Sequence, residues 1–122
     1  MIGYVTLGTN DLAKAAGFYD TLLATIGAAR LWATPRGIAW GVSEDKPMLA
    51  VMTPFDGAPA SVGNGVMIGL NVGSPEAVRH MHQTALDLGG TDEGAVGPRG
   101  DTWYCGYFRD LDGNKLLAFC IG

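Results

Sequence analysis

The side chains in this 122-residue chain that could move protons, attack a carbonyl or hold a metal ion are few: two histidines, two cysteines and twelve acids. Histidine is the usual proton shuttle near neutral pH. His80 and His82, however, fall within a helical pattern, His80 on its solvent side and His82 near its apolar edge, with no nucleophile beside either. Cys105 and Cys120 lie in no redox or nucleophile motif and read as reduced, buried thiols packed as small apolar groups. Asp110 and Asp112 flank a turn with Gly113, where carboxylates commonly bond their own backbone. The segment GAVGPRGDTWY (94–104) concentrates polar and aromatic chemistry on what reads as a loop. There Arg99 could clamp a carboxylate and Trp103 could cover a planar ring, with Asp101 and Tyr104 alongside. The same segment also reads as a solvated hairpin with a Gly-Pro turn.

The elements that must carry these residues follow from periodicity. Residues 2–8 (IGYVTLG) read as a strand, and Asn10 or Asp11 can cap a helix whose apolar face is Leu12, Ala15, Ala16, Tyr19, Leu22, Leu23 and Ile26, stopped by Gly27. Strand-like runs follow at 28–33, 37–42 and 48–53. TPFDGAPASVGNG (53–65) reads as a linker. The order then repeats: a strand at 66–72, a helix opened by Ser74-Pro75-Glu76 with Val78, Met81, Ala85 and Leu88 on its apolar face, and strands near 91–96, 102–109 and 115–121.

Composition agrees with one folded domain. Hydrophobic residues make up 48% and charged residues 16%, which excludes disorder, and the net charge of −4 with eight scattered basic residues gives no footprint for nucleic acid or anionic membranes. No basic segment precedes an apolar stretch at the N-terminus and no run reaches the roughly 18 residues of a membrane span, so a cytoplasmic location is the expectation.

The repeat has a measurable offset. Tyr4 and Met67, Leu7 and Leu70, and Gly27 and Gly90 each lie 63 residues apart, and later the offset becomes 68, matching Pro47–Met52 with Lys115–Cys120. Each unit alone would leave one sheet face bare, so two are expected to close on each other.

Two β-α-β-β-β units, VTLGTNDLAKAAGFYDTLL at the front, YFRDLDGNKLLAFC at the back and the linker PFDGAPASVGNG together resemble the vicinal-oxygen-chelate superfamily, which includes glyoxalase I, extradiol dioxygenases, fosfomycin-resistance proteins and bleomycin-binding proteins. The resemblance spans essentially the whole chain. It implies an α+β fold in which two βαβββ modules, 1–53 and 66–122 joined by 54–65, form a cup-shaped sheet within a single domain.

It also implies that metal ligands, usually His, Glu or Gln, project from the first and last strands of each module. Those places here are Tyr4, Leu49, Met67 and Leu117, which supply no ordinary first shell. A shift of one residue would substitute Val5, Ala50, Ile68 and Leu116 or Ala118, again without a ligand. No metal and no cofactor are therefore expected. In that register Tyr4, Thr6, Met67, Asn71 and Leu117 face the cup, and Trp40, Phe108 and Tyr104 are expected to join them, with Arg99 and Trp103 at the rim. The implied function is binding of a small apolar or aromatic molecule. The alternatives are a lyase, isomerase or dioxygenase recruiting Tyr4, Thr6, Asn71 or Tyr104, or a structural or regulatory dimer with a filled cup. The resemblance further implies a homodimer, as in other small members of the superfamily.

Overall fold

The computed structural model describes residues 1–122 and resolves two compact units, Met1–Val62 and Gly63–Gly122. The first contains β1 (Tyr4–Gly8), α1 (Leu12–Ala24), β2 (Ala29–Ala33), β3 (Gly37–Gly41) and β4 (Met48–Met52). The second contains β5 (Ile68–Asn71), α2 (Pro75–Asp87), β6 (Thr91–Arg99), β7 (Trp103–Arg109) and β8 (Lys115–Ile121). The sheets have the orders β1-β4-β3-β2 and β5-β8-β7-β6, so each unit is the same βαβββ arrangement with one parallel pair and two antiparallel pairs. This is an α+β fold with an internal repeat.

Local chemistry sets the helix boundaries. The Asp11 carboxylate accepts the Lys14 backbone N–H at 3.1 Å to cap α1, and the Ser74 hydroxyl does the same for Ala77 at 3.1 Å on α2, ahead of Pro75 at the first helical position. Chain reversal after α1 uses Gly27, whose φ of +76° lies where a side chain would be strained. Each helix covers one face of its own sheet: Ala15, Ala16, Phe18, Tyr19, Leu22 and Leu23 are buried on α1, and Val78, Met81, His82 and Ala85 on α2. No helix is long and apolar enough to cross a membrane.

Cross-strand partners share a face, so the register identifies what each helix covers. In the first unit Val5, Leu49 and Trp40 lie on the covered face with Leu7, Val51 and Ile38. In the second, Phe108, Leu116 and Ile68 lie there with Gly106, Ala118, Leu70, Tyr104 and Cys120.

This register corrects the repeat arithmetic. Thr6 pairs with Ala50 and Gly69 with Leu117, so β4 maps onto β8 with an offset of 67, not 68, while Trp40 still maps onto Phe108 at 68. The physical reason is the connection: six residues join β3 to β4, and five join β7 to β8. The last-strand place assigned to Leu49 therefore belongs to Ala50, because Leu49 points under α1.

The β6–β7 connection also differs from expectation. Residues 94–104 are not a free loop. β6 continues to Arg99, with register irregularities between Asp92 and Gly94 and between Gly94 and Gly97, before a three-residue turn into β7.

Candidate functional site

Three residues expected in the cup stand under the helices instead. Trp40 is 1% exposed, its ring centroid lies 5.5 Å from that of Tyr19, and its Nε1–H donates to Asp20 Oδ1 at 2.8 Å. An indole in a core needs such an acceptor, and α1 supplies it. Phe108 is fully buried with its ring edge-on to His82, 6.3 Å between centroids. The Tyr104 hydroxyl accepts from Arg79 Nη1 at 3.0 Å, with the Arg79 guanidinium 5.8 Å above its ring. The three occupy equivalent faces of their strands, as alternation requires, but that face is the one the helices cover.

Beneath α1, the Asp20 carboxylate also accepts Arg30 Nε at 2.9 Å and Nη2 at 2.7 Å. The Arg30 guanidinium, together with the Trp40 indole, holds the Asp20 carboxyl below its ordinary value against the opposing effect of burial. His82 sits under α2, its Nε2 within 3.2 Å of Asp92 Oδ1 and 3.1 Å of the Tyr107 carbonyl oxygen. It lies at the buried edge of the helix. Asp110, 4% exposed, accepts the backbone N–H groups of Asp112 and Asn114 and the Asn114 side-chain amide, each at 2.9 Å, which fixes the β7–β8 turn around Gly113.

The faces turned away from the helices hold the remaining candidates. In the first unit these are Tyr4, Thr6 and Gly8 on β1 and Met48, Ala50 and Met52 on β4. Gly37, Ala39 and Gly41 continue this face on β3, and a bulge between Arg30 and Trp32 brings Trp32 opposite Ala39. In the second unit they are Gly69 and Asn71 on β5, Leu117 and Phe119 on β8, and Trp103, Cys105 and Tyr107 on β7, with Met67 exposed just before β5. The Trp103 and Phe119 rings stack at 4.7 Å with 30° between planes. Tyr107 has two cations at its ring, with the Arg99 and Lys115 charged groups each 5.5 Å from its centroid.

Arg99 is held in place. Its Nη1 donates to the Gly97 and Pro98 carbonyls, both at 3.1 Å, and its Nη2 to Ala95 at 2.7 Å, so it braces the bulged end of β6 as well as lying over Tyr107. Tyr107, Phe119, Lys115, Trp32, Met48 and Met52 are candidates that the sequence reading missed. Tyr107 and Phe119 alternate with Phe108 and Ala118 in apolar runs, and only the register assigns their faces.

The donor chemistry of these faces does not fit the divalent ion that the fold implies. Around the four places, Tyr4, Ala50, Met67 and Leu117, no strand-paired neighbour is an imidazole or a carboxylate, and the one acid near Lys115, Glu93, is paired with Arg109. Across the chain, no three His, Cys, Asp or Glu side chains converge as a ligand set. What the second unit's open face can do is stack and desolvate a ring and offer it a cationic rim.

Known structures carry the same architecture. The chain is 33% identical to a glyoxalase/bleomycin resistance protein from Albidiferax ferrireducens T118, with 100% of this chain and 99% of that one covered and a TM-score of 0.92. A glyoxalase/bleomycin resistance protein/dioxygenase family enzyme from Burkholderia phytofirmans PsJN shares 16% identity at a TM-score of 0.77, covering 98% of both chains. A lactoylglutathione lyase from Agrobacterium tumefaciens shares 18% at 0.71, covering 98% of this chain and 92% of that one. The latter two matches show the fold alone. No protein-family model matches the sequence, and neither does any curated protein. With identity at this level over its full length and the repeated βαβββ architecture, the chain belongs to the glyoxalase/bleomycin resistance family.

Proposed function

We propose that this chain is a metal-free small-molecule-binding member of its family, and that the helix-free face of the second unit takes an apolar, preferably aromatic, ligand. The observation that carries this reading is the stacked pair Trp103–Phe119 beside Tyr107, on the same face as the buried Leu117, a ring surface edged by Arg99 and Lys115. Met67 and Asn71 border it on the β5 side. Rings gain from leaving water against such a surface, and a negatively charged substituent gains from the cations. Trp103 is 41% exposed and so has area left to cover. Tyr4 and Thr6 belong to the corresponding face of the first unit.

Titration with aromatic acids, followed by tryptophan fluorescence, tests the reading. We expect saturable quenching or a spectral shift that weakens about tenfold in Trp103→Ala, given the 1–3 kcal/mol typical of aromatic stacking on a base-sized ring. Binding unchanged in that variant contradicts the assignment. Turnover of the bound compound would instead favour the enzyme alternative that uses Tyr4, Thr6, Asn71 or Tyr104.

The chain is further proposed to be a cytoplasmic homodimer. Both cysteines are free and buried, in keeping with a reducing compartment. Each sheet ends at edge strands whose backbone groups invite pairing or cover. Light scattering should give twice the 12.7 kDa chain mass, and the single-chain mass at micromolar concentration contradicts it.

A further inference from the structure

We propose a second binding site in the first unit, an open cavity of about 460 Å³ beneath residues 53–61 that takes a small monocarboxylate with an apolar body, Arg36 being its anion-binding group. Its lining residues all belong to the first unit, and it does not depend on the reading of the second unit's aromatic face.

The floor is the end of the sheet, where Thr6, Gly8 and Met52 meet, and the wall is the segment from Thr53 to Ser61. That segment reads as a linker, yet it is fastened to the first unit at both ends. The Thr53 N–H donates to the Arg36 carbonyl at 2.8 Å, and the Asn10 side chain grips Ala60 twice, accepting from its N–H at 2.6 Å and donating to its carbonyl at 3.2 Å. Between these anchors, Asp56 Oδ1 accepts the Ala58 N–H at 2.9 Å. The approach at Ala60 needs a bare strand end, because a Cβ on Gly8 would lie 3.1 Å from the Ala60 Cβ.

Arg36 stands at the cavity with its guanidinium 5.3 Å over the Phe55 ring, spending one N–H on the Thr53 carbonyl at 3.0 Å. It joins none of the chain's ion pairs. A guanidinium has five N–H donors in a planar fork suited to a carboxylate, so most of its donor capacity remains for an incoming anion. Met52, Pro54, Phe55, Pro59 and Ala60 supply apolar lining for the rest of the ligand. Asp56 lines the same cavity and offsets part of the cation, which favours a monoanion over a dianion such as phosphate. The volume exceeds the roughly 150 Å³ that accommodates a benzene ring and falls within the usual range of small-ligand sites.

The test is a backbone-amide NMR titration of the whole chain with sodium benzoate, its neutral analogue benzamide and inorganic phosphate as probes. Benzoate should shift Thr6, Gly8, Arg36, Phe55 and Ala60 saturably, with benzamide and phosphate each at least about fivefold weaker. Arg36→Gln should weaken benzoate about five- to tenfold and leave benzamide unchanged, whereas Arg36→Lys, which keeps the charge but loses the planar fork, should weaken it less, about two- to threefold. An unperturbed dispersed spectrum of each variant shows that the fold has survived. Equal affinity for benzoate and benzamide, tighter binding of phosphate, or benzoate affinity unchanged in Arg36→Gln overturns the proposal. Benzoate shifts confined to Trp103, Tyr107 and Phe119 overturn it too, while supporting the aromatic site of the second unit.

Discussion

The two units share strand order and sheet register but use the sides of their sheets differently. Under the helices, large side chains occupy matching places: Trp40 in the first unit stands where Phe108 stands in the second, and both are buried. On the open faces the matching places diverge, with Ala39 opposite in the repeat to Tyr107, Ala50 to Leu117 and Met52 to Phe119. At these matched places the first unit carries the smaller side chains, with residues 53–61 walling the end of its sheet, and the second carries larger side chains with cations over Tyr107. Packing against a helix constrains one side of the sheet to a similar core in both units, and the freed side is where each can acquire its own chemistry.

The largest effects expected from this contrast are on stability. Trp40→Ala and Phe108→Ala should each cost about 3–5 kcal/mol, as for large aromatics removed from a core. Trp103→Ala, on an open face, should cost under about 1 kcal/mol. Urea unfolding midpoints measure all three, and a comparable loss for Trp103 would erase the distinction between the faces. The connections after β3 and β7 should separate next. Asp110→Ala removes a carboxylate that accepts three N–H donors around a buried turn and should cost about 2–3 kcal/mol, whereas Asp45→Ala, in the exposed turn of the first unit, should change stability by less than about 0.5 kcal/mol.

A smaller effect concerns pH. Because the Asp20 carboxyl is held low in the folded chain, its contribution to stability is present above the ordinary value of 3.8 and is lost as pH falls through the lower folded value. Both partners of the Asp20–Arg30 pair are more than 40% exposed, so solvent reduces this to at most about 1 kcal/mol. The Trp40 indole N–H resonance should therefore hold its folded position down to pH 4 and shift below it. In Asp20→Asn that acid-dependent shift should vanish, and its persistence would assign the effect to another carboxylate.

Much of the fold was legible because its signals are local. Asp11 and Ser74 cap their helices through their own side chains, Asp110 and Gly113 define a turn within five residues, and the 63-residue offset runs without a gap from β1 to the end of α1. The site was less legible because its signal is parity. MLAVM and KLLAFCI are nearly unbroken apolar runs, so nothing in them fixes which residues face the helix, and aligning Ala50 with Ala118 slipped the register by one. That slip moved Leu49 to the wrong side, and the same missing alternation put Trp40, Tyr104 and Phe108 on the open face. Nor does composition reveal that residues 53–61 fold onto the first unit, because the contacts that hold them reach back to Asn10 and Arg36.

The central claim, that these open faces work without a metal ion, is tested most directly by elemental analysis of the chain after gentle purification without chelators. With Tyr4, Ala50, Met67 and Leu117 at the places where the fold would offer ligands, zinc, nickel, manganese and iron should all be far below stoichiometric. About one equivalent of any of them per chain, retained through dialysis, would contradict the account.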